Sequence, residues 1–580
     1  MDNEFAYLAQ LNEKQREVCI STDNYVLTAC PGSGKTRTVT YRLAYLQEKN
    51  RTSRLLNIAI TYTNRAADEI YTRLESMGVD LSSIWTGTIH QFCMKFIIRP
   101  YAMYSDRLRT GYRIIDEYIT KKYCEEITAE LNIKLGFDNP LSIPAIKHEY
   151  NNRLAKNKEI DFNLILEIAD SLLSECPFIA ENLACITRSL HIDEFQDTND
   201  LQYSILARIV QKNTRINVMF VGDINQAIYG NLGGIAKTAE TLSEQFGISL
   251  KQDQLSGCYR STQRIVDYYS HFEVAKTKVF SISSHKDVAG IISYNTIINK
   301  KDLHKKIARI IEFHLSKGVD SKDICVVAPQ WYQIYPIAKE LRKGLPTTIF
   351  DAPDIMPFKY DPMNPFYLFA RLLFTPAGEN VKTRKRISSE ILDILDREFR
   401  LKMPNDYDNY CLLKAVNSAP RNTQSGLVFY QNAIDSVFKT LHVSLQEERQ
   451  LFDAYTAFIE KAEQRIHKYN LPTSVDDFIA FFRERKGVVI NTIHGIKGEE
   501  FEVVIGFDLL NGHLPHWEYI LNDDKTPQRK IETKKLLYVL CSRAKTYLYL
   551  FSETGRTTAK GFPLTATDEL RSVAFKYNSL

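Results

Sequence analysis

The stretch that most constrains the fold is Tyr25–Thr36, which reads YVLTACPGSGKT. A short apolar run enters a loop that holds Gly32 and Gly34, and Lys35 and Thr36 open a predicted helix. Glycines let backbone N–H groups surround an anion without a Cβ in the way, and the N-terminus of the helix adds its dipole and free donors. The pattern predicts a phosphate-binding loop in which Lys35 reaches the outer phosphates and Thr36 binds Mg²⁺.

Length, charge and cysteine content limit the class of protein to which the chain can belong. At about 150 residues per domain, 580 residues predict three to five domains. A net charge of +4 neither requires nor excludes a polyanionic partner. Ten cysteines without a C-x-x-C pair favour neither a zinc ribbon nor a disulfide scaffold. The acidic start lacks an apolar leader, and no run is long enough to cross a bilayer, so a cytoplasmic protein without a membrane partner is expected.

Apolar, β-prone runs alternate with helical patterns along the chain. The first set follows the strand near Tyr25 and comprises Asn57–Thr63, Ile84–Thr88, Ser189–Asp193 and Asn217–Asp223. The second set comprises Gly290–Tyr294, Ile324–Ala328, Val488–Thr492, Val503–Phe507 and Thr546–Phe551. Alternating strands and helices predict parallel, doubly wound sheets.

Two stretches of helical composition interrupt these sets, so two α/β cores, each with a helical insertion, are the simplest division. The predicted first core is 1–94 and 186–250 with insertion 95–185, and the second core is 251–334 and 486–580 with insertion 335–485.

Polar side chains follow the predicted strands at the edge where ligands bind in open α/β sheets. Asp193 and Glu194 come directly after a buried strand, and in such a pair one carboxylate can hold Mg²⁺ while its neighbour polarises the attacking water. Gln226 follows the next strand and can sense a γ-phosphate, and Tyr229 can stack on a base. Upstream of the phosphate loop, the Gln15 amide can read both edges of adenine.

Two arginines of the second core offer a further possibility. Arg260 and Arg543 lie in the segments YRST and YVLCSRA, where arginines usually form structural ion pairs. In a two-core ATPase they can instead complete a site whose phosphate loop lies in the first core. An arginine that faces developing phosphoryl charge accelerates hydrolysis and links closure of the cleft to the nucleotide state.

The segments that carry these residues occur in a characteristic order: LNEKQ, ACPGSGKT, ITYTNRAADEI, TGTIHQF, IDEFQDTN, VGDINQAIYG, CYRST, NTIHGIKGEEF and YVLCSRA. Together they resemble the UvrD/Rep/PcrA family of superfamily 1 DNA helicases over essentially the whole chain. The resemblance implies an α/β fold with two RecA-like P-loop NTPase domains, 1A and 2A, whose parallel sheets each carry a helical insertion, 1B or 2B. It also implies ATP- and Mg²⁺-dependent movement along single-stranded DNA toward duplex junctions, with 3′→5′ polarity.

The resemblance further implies roles for individual residues. The nucleotide-binding positions are Gln15, Ala29, Cys30, Pro31, Gly32, Ser33, Gly34, Lys35, Thr36, Arg37, Tyr259, Gly498 and Glu500. Among them, Tyr259 stacks on adenine and Glu500 holds the ribose. The metal positions are Thr36 and Asp193, and the catalytic positions are Glu194 as base, Gln226 as γ-phosphate sensor, and Arg260 and Arg543 as γ-phosphate contacts. The DNA-binding positions are Tyr62, Thr63, Asn64, Thr88, His90, Tyr229, Thr492 and His494.

The chain also departs from the family pattern. The family reads IYGWRGA where this chain has Asn231 and Leu232 in place of tryptophan and arginine. One base–aromatic stack contributes about 1–3 kcal/mol, so the grip on each base is expected to be weaker or differently placed. Lys534 and Lys535 replace an arginine pair, and lysine lacks the planar bidentate fork. Because the sequence ends soon after the last motif, we expect it to lack the C-terminal nuclease domain of larger relatives.

Two alternatives stay open at this point. In the first, the chain is an ATP-gated, DNA-binding regulatory subunit of a separate nuclease, as in antiphage systems such as Gabija, with little processive unwinding. In the second, the track is RNA, because a groove that reads backbone and base faces tolerates either nucleic acid. The pathway, whether DNA repair, replication restart or antiviral defence, also stays open.

Overall fold

A computed structural model gives the arrangement of most of the chain. It describes residues 3–115, 117–133, 139–230, 233–351, 357–358, 361, 364–378, 381–404, 407–469, 471–482, 487–516, 526–558 and 560–579. The departures predicted at Asn231 and Leu232 therefore lie outside the described residues.

The chain forms two compact units. The first, here called the sheet unit, comprises Met1–Thr88, Ala184–Pro353 and Arg485–Leu580. The second, the helical unit, comprises Ile89–Leu183 and Asp354–Glu484. Both predicted cores thus belong to one unit, and most of both predicted insertions belong to the other.

The strands are numbered in chain order. They are β1 (Tyr25–Ala29), β2 (Leu56–Thr61), β3 (Ile84–Thr88), β4 (Arg113–Ile114), β5 (Glu159–Ile160), β6 (Thr187–Asp193), β7 (Asn217–Gly222), β8 (Lys251–Leu255), β9 (Gly257–Cys258), β10 (Phe280–Ser281), β11 (Ile291–Asn295), β12 (Ile324–Ala328), β13 (Phe350–Asp351), β14 (Val488–Thr492), β15 (Phe501–Gly506) and β16 (Ala544–Phe551).

The first large sheet has six strands in the order β3-β2-β6-β7-β1-β8, all paired in parallel. Its inner strands are apolar and buried on both faces, as expected for a parallel sheet covered by helices. Strand β8 was missed by the sequence analysis, which ended this core at residue 250. Its sequence, KQDQL, carries one buried apolar residue, because an edge strand needs no apolar run.

The second large sheet has six strands in the order β11-β16-β15-β12-β14-β13, again all parallel. Five of them were predicted, and the short edge strand β13 was not. β13 and the helix Trp331–Gly344 pack with this sheet, so the sheet unit continues to Pro353 rather than ending at residue 334. The aromatic and charged composition after residue 335 hid this boundary.

The helices of the sheet unit cover both faces of the sheets. They are Glu13–Ile20, Lys35–Lys49, Asn64–Ser76, Asp200–Val210, Ala239–Phe246, Gln263–Ser270, Lys300–Ser316, Trp331–Gly344, Thr526–Cys541 and Asp568–Arg571. The helix Asn64–Ser76 packs one face inward, since Ala67, Ile70 and Leu74 are all buried.

The helical unit contains an aromatic-rich core, which is formed by its second chain segment. Its helices are Ile89–Phe92, the π-helical Cys93–Ile98, Arg99–Tyr101, Glu117–Glu130, Pro144–Asn157, Phe162–Glu175, Pro177–Ile186, Pro365–Leu373, Val381–Arg397, Asn409–Asn417, Gly426–Thr440, Arg449–Tyr469 and Val475–Phe482. One buried ion pair joins its two chain segments: Arg99 Nη2 lies 2.6 Å from Glu398 Oε1. Within the described ranges, no helix is both long and apolar enough to cross a membrane.

Candidate nucleotide site and nucleic-acid interface

The order of the first sheet brings the predicted catalytic loops together. Strands β6, β7 and β1 are neighbours, and their carboxyl ends meet at one edge. That edge carries Asp193 and Glu194 after β6, Gln226 after β7, and the phosphate loop after β1. Residues that are distant in sequence therefore share one site because the sheet is parallel and doubly wound.

The phosphate loop requires its two glycines. Gly32 has φ +71°, and a Cβ there would lie 2.5 Å from Arg260 Cβ. Gly34 has φ +80° and caps the helix Lys35–Lys49, and a Cβ there would lie 2.8 Å from Gln15 Nε2. Both the left-handed backbone and the close approach exclude larger residues. The loop keeps the form of an anion cradle at the N-terminus of a 15-residue helix.

Other predicted positions of the loop support its shape. Ala29 and Cys30 are buried, and the Cys30 N–H donates to the Leu255 carbonyl at 3.1 Å. Ser33 is buried and also lies on the wall of the cavity described below. Arg37 Nη2 donates to the Gln10 carbonyl at 3.1 Å. Pro31 lines the cavity described below.

The acidic pair faces the lysine and threonine of the loop. Lys35 Nζ lies 3.2 Å from Glu194 Oε1, and Thr36 Oγ1 donates to Asp193 Oδ2 at 3.3 Å. Burial opposes the charge of Lys35, but Glu194, Asp223 and Asp193 outweigh it and raise the pKa of the lysine. Burial and the neighbouring Glu194 carboxylate raise the pKa of Asp193. Burial also acts against ionised Glu194, but Lys35 outweighs it and lowers the pKa of this carboxyl.

A magnesium ion suits this donor set. The hydroxyl of Thr36 and the carboxylate of Asp193 are oxygen ligands of the kind that Mg²⁺ prefers, and the ion usually completes its shell with water and substrate phosphates. Within the part of the chain that the structure describes, no group of three or more His, Cys, Asp or Glu side chains could hold a metal by itself. An ion here would therefore depend on the nucleotide for further ligands.

Gln226 links the two sheets. Its Nε2 donates to Asp223 Oδ2 at 2.7 Å, and its Oε1 accepts from Arg543 Nη2 at 2.9 Å. Arg543 is fully buried and also donates from Nε to the Val539 carbonyl at 3.1 Å. Burial, with the neighbouring charge of Arg260, lowers the pKa of Arg543 to about 9.

Tyr259 and Arg260, which follow the short strand β9, lie against the phosphate loop. The Tyr259 N–H donates to the Gly32 carbonyl at 2.8 Å, and the Tyr259 hydroxyl accepts from Asn12 Nδ2 at 2.8 Å. Arg260 Nε lies 2.8 Å from Glu500 Oε2. Burial would favour neutral Glu500, but Arg260 outweighs it and lowers the pKa of Glu500 to about 2.

Gln15 is engaged by the protein at both ends of its amide. Its Nε2 donates to the Ser33 carbonyl at 3.0 Å, and its Oε1 accepts from the Asn12 N–H at 3.2 Å. In this arrangement the side chain braces the phosphate loop and caps the helix Glu13–Ile20.

One cavity of about 910 Å³ collects most of the predicted nucleotide residues. The predicted residues on its wall are Pro31, Gly32, Ser33, Gly34, Lys35, Thr36, Arg37, Glu194, Gln226, Tyr259, Arg260, Gly498, Glu500 and Arg543. Both large sheets of the sheet unit contribute to this wall.

Three of the predicted nucleic-acid residues form an aromatic group in the same unit. Tyr62 and Tyr229 stack with ring centroids 4.5 Å apart. The ring of His494, from the second sheet, lies 5.7 Å from that of Tyr229, whose hydroxyl donates to the His494 carbonyl at 3.4 Å. Both tyrosines are half-buried and His494 is exposed, so the group reaches the surface.

The remaining predicted positions have local roles. Thr63 caps the helix Asn64–Ser76 through Ala66 N, and Thr492 Oγ1 accepts from Gly495 N at 3.1 Å. Asn64 Oδ1 is buried and has no hydrogen-bond partner within the described ranges. Thr88 ends β3 opposite Thr61 of β2. His90 packs edge-on against Phe162 in the helical unit, and burial lowers its pKa to about 4.

Sequence reasoning gave no role to three buried polar residues of this site. Asp223 positions the Gln226 amide, and Gln196 Nε2 donates to Glu194 Oε2 at 2.5 Å. Lys497 is ion-paired with Asp197, a contact between the second sheet and the first. Asp223 directly follows a buried strand, and this signal could have identified it.

The fold and the cavity define a P-loop protein in which two RecA-like sheets line one nucleotide site. The model of the UvrD/REP helicase N-terminal domain matches residues 11–142 and 138–247, and the model of the UvrD-like helicase C-terminal domain matches residues 469–554. Together these matches span more than half of the chain.

Similar proteins agree with this assignment. The ATP-dependent DNA helicase PcrA of Staphylococcus aureus strain Mu50 is 23% identical over 95% of this chain and 84% of its own length. The PcrA protein of Staphylococcus epidermidis strain ATCC 12228 is also 23% identical over the same shares. The chain belongs to the UvrD/Rep helicase family.

Proposed function

We propose that the protein is an ATP-dependent DNA translocase that moves 3′→5′ along single-stranded DNA and separates duplex at junctions. The observation that carries this proposal is the shared cavity, whose wall combines the phosphate loop of the first sheet with Arg260, which follows β9, and Arg543, which precedes β16 of the second sheet. A triphosphate bound there contacts both sheets, and its hydrolysis removes the contacts that hold them together.

The side chains divide the work of hydrolysis. Lys35 binds the outer phosphates, and Glu194, kept ionised by that lysine, orients the attacking water and accepts its proton. Gln226, fixed between Asp223 and Arg543, senses the γ-phosphate. Arg543 stabilises the charge that develops on the transferred phosphoryl group.

On the adenosine side, Tyr259 is 40% exposed and offers a ring for adenine. Glu500 is the candidate acceptor for the ribose hydroxyls. To bind them, one of its carboxylate oxygens would give up its contact with Arg260. Gln15 supports the loop and is the candidate reader of the adenine edge.

Thr36 and Asp193 would hold Mg²⁺. When bound, the ion neutralises phosphate charge during phosphoryl transfer. Asp193 must give up its proton to serve as a ligand, and the positive charge of Lys35 favours that ionised form.

The candidate DNA surface is the aromatic group of Tyr62, Tyr229 and His494. Base–aromatic stacking tolerates any sequence, as a translocase requires. DNA is favoured over RNA as the track because the PcrA relatives carry the name DNA helicase, and the polarity rests on the family resemblance. The four-part division into 1A, 1B, 2A and 2B is part of the same proposal, with 1A extended by β8 and 2A by β13.

The test compares ATP hydrolysis with and without matched DNA and RNA oligonucleotides, and then displacement of a labelled strand from duplexes with a 3′ or a 5′ tail. Stimulation by DNA and unwinding of the 3′-tailed duplex are expected. ATP hydrolysis that no nucleic acid stimulates would overturn the proposal.

A second candidate is an ATP-gated regulatory subunit of a separate nuclease. The observation in its favour is the presence of Asn231 and Leu232 where the family has tryptophan and arginine. Co-purification with a nuclease, together with ATP-dependent DNA binding but no displacement of a short duplex, would favour this candidate. A monomer that unwinds alone would exclude it.

A further inference from the structure

Lys497 lies in a pocket formed by the first sheet although it belongs to the loop after β14 of the second. Its side chain is only 7% exposed and is ion-paired with Asp197, whose side chain is fully buried. The ammonium also donates to the Gln226 carbonyl at 2.7 Å. It lies 4.9 Å from the ring centroid of Tyr229 and 6.0 Å from that of Tyr62.

From Asp197, a line of hydrogen bonds leads to the candidate base. Gln196 Nε2 donates to Asp197 Oδ2 at 3.2 Å and to Glu194 Oε2 at 2.5 Å. Glu194 in turn meets Lys35 at 3.2 Å. A continuous polar path therefore connects the stacked tyrosines with the phosphate loop, and Lys497 is the member that comes from the second sheet.

The structure around Gln196 leaves its amide little freedom. Gln196 is fully buried, and its Oε1 accepts from the Asp223 N–H at 3.0 Å. A Cβ on Gly222 would lie 2.1 Å from that oxygen, so the glycine makes room for the amide. The Gln196 amide nitrogen bonds both the Asp197 and the Glu194 carboxylates, so the positions of the two carboxylates are tied together.

We propose that Lys497 is a positioning residue through which nucleic acid at Tyr62 and Tyr229 adjusts the carboxylate of Glu194. This inference rests on the proposed function and adds to it the residue that links the two sites. A base that stacks on the tyrosines changes the surroundings of the ammonium that they share. The ion pair between the ammonium and Asp197 then changes in geometry. The Gln196 amide, which bonds both carboxylates, shifts Glu194 in response.

The same contact depends on closure of the two sheets. Lys497 reaches Asp197 only while the second sheet lies against the first, and its withdrawal leaves a buried carboxylate without a cation. Burial raises the pKa of Asp197 to about 6 although Lys497 opposes this, so the carboxylate depends on the lysine for its charge. Removing one partner of a buried pair is strongly unfavourable, and nucleic acid that holds Lys497 in place therefore favours the closed arrangement.

The experiment measures ATP hydrolysis by full-length Lys497→Met, Lys497→Arg, Asp197→Asn and the double variant Lys497→Met/Asp197→Asn, without DNA and over a series of oligo-dT concentrations. Lys305→Met is the matched control, because Lys305 is a 63% exposed lysine of the helix Lys300–Ser316. The readouts are the ratio of stimulated to basal kcat, the DNA concentration at half-stimulation and the melting temperature.

We expect Lys497→Met to lower the ratio of stimulated to basal kcat about tenfold, a typical size for coupling between two sites. Lys497→Arg should keep part of the stimulation. The double variant should have about the same ratio as either single variant, and not the product of the two reductions. The double variant leaves no unpaired buried charge. It therefore provides the test of stimulation if Lys497→Met folds poorly.

Two results are decisive in different ways. A parent chain that DNA does not stimulate would overturn the proposed function together with this inference. A stimulated parent whose ratio is unchanged in Lys497→Met, or whose losses multiply in the double variant, would overturn the inference alone.

Discussion

Arg543 Nη2 donates to Gln226 Oε1 at 2.9 Å, and this bond joins a fully buried arginine of the second sheet to the loop that follows β7 of the first. The arginine therefore lies at the candidate γ-phosphate position with part of its hydrogen-bonding capacity already engaged. The two sheets are connected at the point where a triphosphate would be cleaved.

Substitution of Arg543 should reduce hydrolysis far more than nucleotide binding. An arginine that stabilises the transferred phosphoryl group contributes about 10³–10⁵ in kcat, so Arg543→Lys should lower kcat about a thousandfold because lysine lacks the planar fork. Steady-state ATPase and binding of a fluorescent ATP analogue would separate the two effects. Arg264→Ala, which removes a partly buried arginine that donates to the Lys576 carbonyl, is the control and should change neither.

Lys35 and Glu194 should differ in which step they affect. Lys35→Ala removes the ammonium that reaches the outer phosphates and should abolish ATP binding at micromolar concentrations. Glu194→Gln keeps the shape of the side chain but removes the base, so kcat should fall about 10²–10⁴-fold while ATP affinity stays within a few-fold. Equilibrium binding and single-turnover hydrolysis measure these changes. Normal turnover by Glu194→Gln would assign the base to another residue.

Tyr229 should contribute to the grip on DNA through its ring. Loss of one base–aromatic stack costs about 1–3 kcal/mol, so Tyr229→Ala should raise the Kd for an oligo-dT probe about 5- to 150-fold. Tyr229→Phe should bind nearly as well as the parent. Fluorescence anisotropy at fixed salt gives the Kd values, and Tyr410→Ala, at a 62% exposed tyrosine of the helical unit, should leave the Kd unchanged.

Arg99 should be essential for the stability of the helical unit. Its side chain is 3% exposed and meets Glu398 at 2.6 Å and Glu390 at 3.0 Å. Arg99→Met leaves buried Glu398 without its cation and should lower the free energy of unfolding by about 3–5 kcal/mol. Hydrogen exchange of the helices in this unit reports the loss.

The matched control for Arg99 is Arg109→Met, which breaks a surface pair with Asp106. Exposed pairs contribute at most about 1 kcal/mol. An equal loss of unfolding free energy in Arg99→Met and Arg109→Met would show that the buried pair stabilises the unit no more than the surface pair does.

His191 should make the sheet unit sensitive to acid. It lies fully buried in β6, and burial, with the charge of Arg42, lowers its pKa from 6.5 to about 3. Because the unfolded chain takes up this proton below pH 6.5 and the folded chain does not, stability is lost as the pH falls from 6.5 toward 3. At pH 5 the loss from this residue is about 2 kcal/mol.

His191→Leu should therefore flatten the dependence of melting temperature on pH between 7 and 5. His467→Leu, at an exposed histidine of the helical unit, should leave that dependence unchanged. An identical slope in His191→Leu and the parent would contradict the prediction.

Most apolar strands could be read from the sequence because their patterns are local. Strands β3, β12 and β14 have the predicted bounds, and the helix after the phosphate loop begins at Lys35 as expected. The edge strands β8 and β13 escaped prediction because one is polar and the other has two residues. Pairing with a neighbouring strand creates them, and no local pattern records that pairing.

The sequence by itself determined the chemical inventory: a phosphate loop, an acidic pair, a sensing glutamine, two arginines and the family to which the chain belongs. Those features depend on residue type and short spacing, which a linear chain displays directly. Only the tertiary structure decided that Arg543 meets Gln226 and that Lys497 lies between Asp197 and two stacked rings. These contacts join residues about 300 positions apart, because parallel strand order, rather than sequence distance, determines which loops meet.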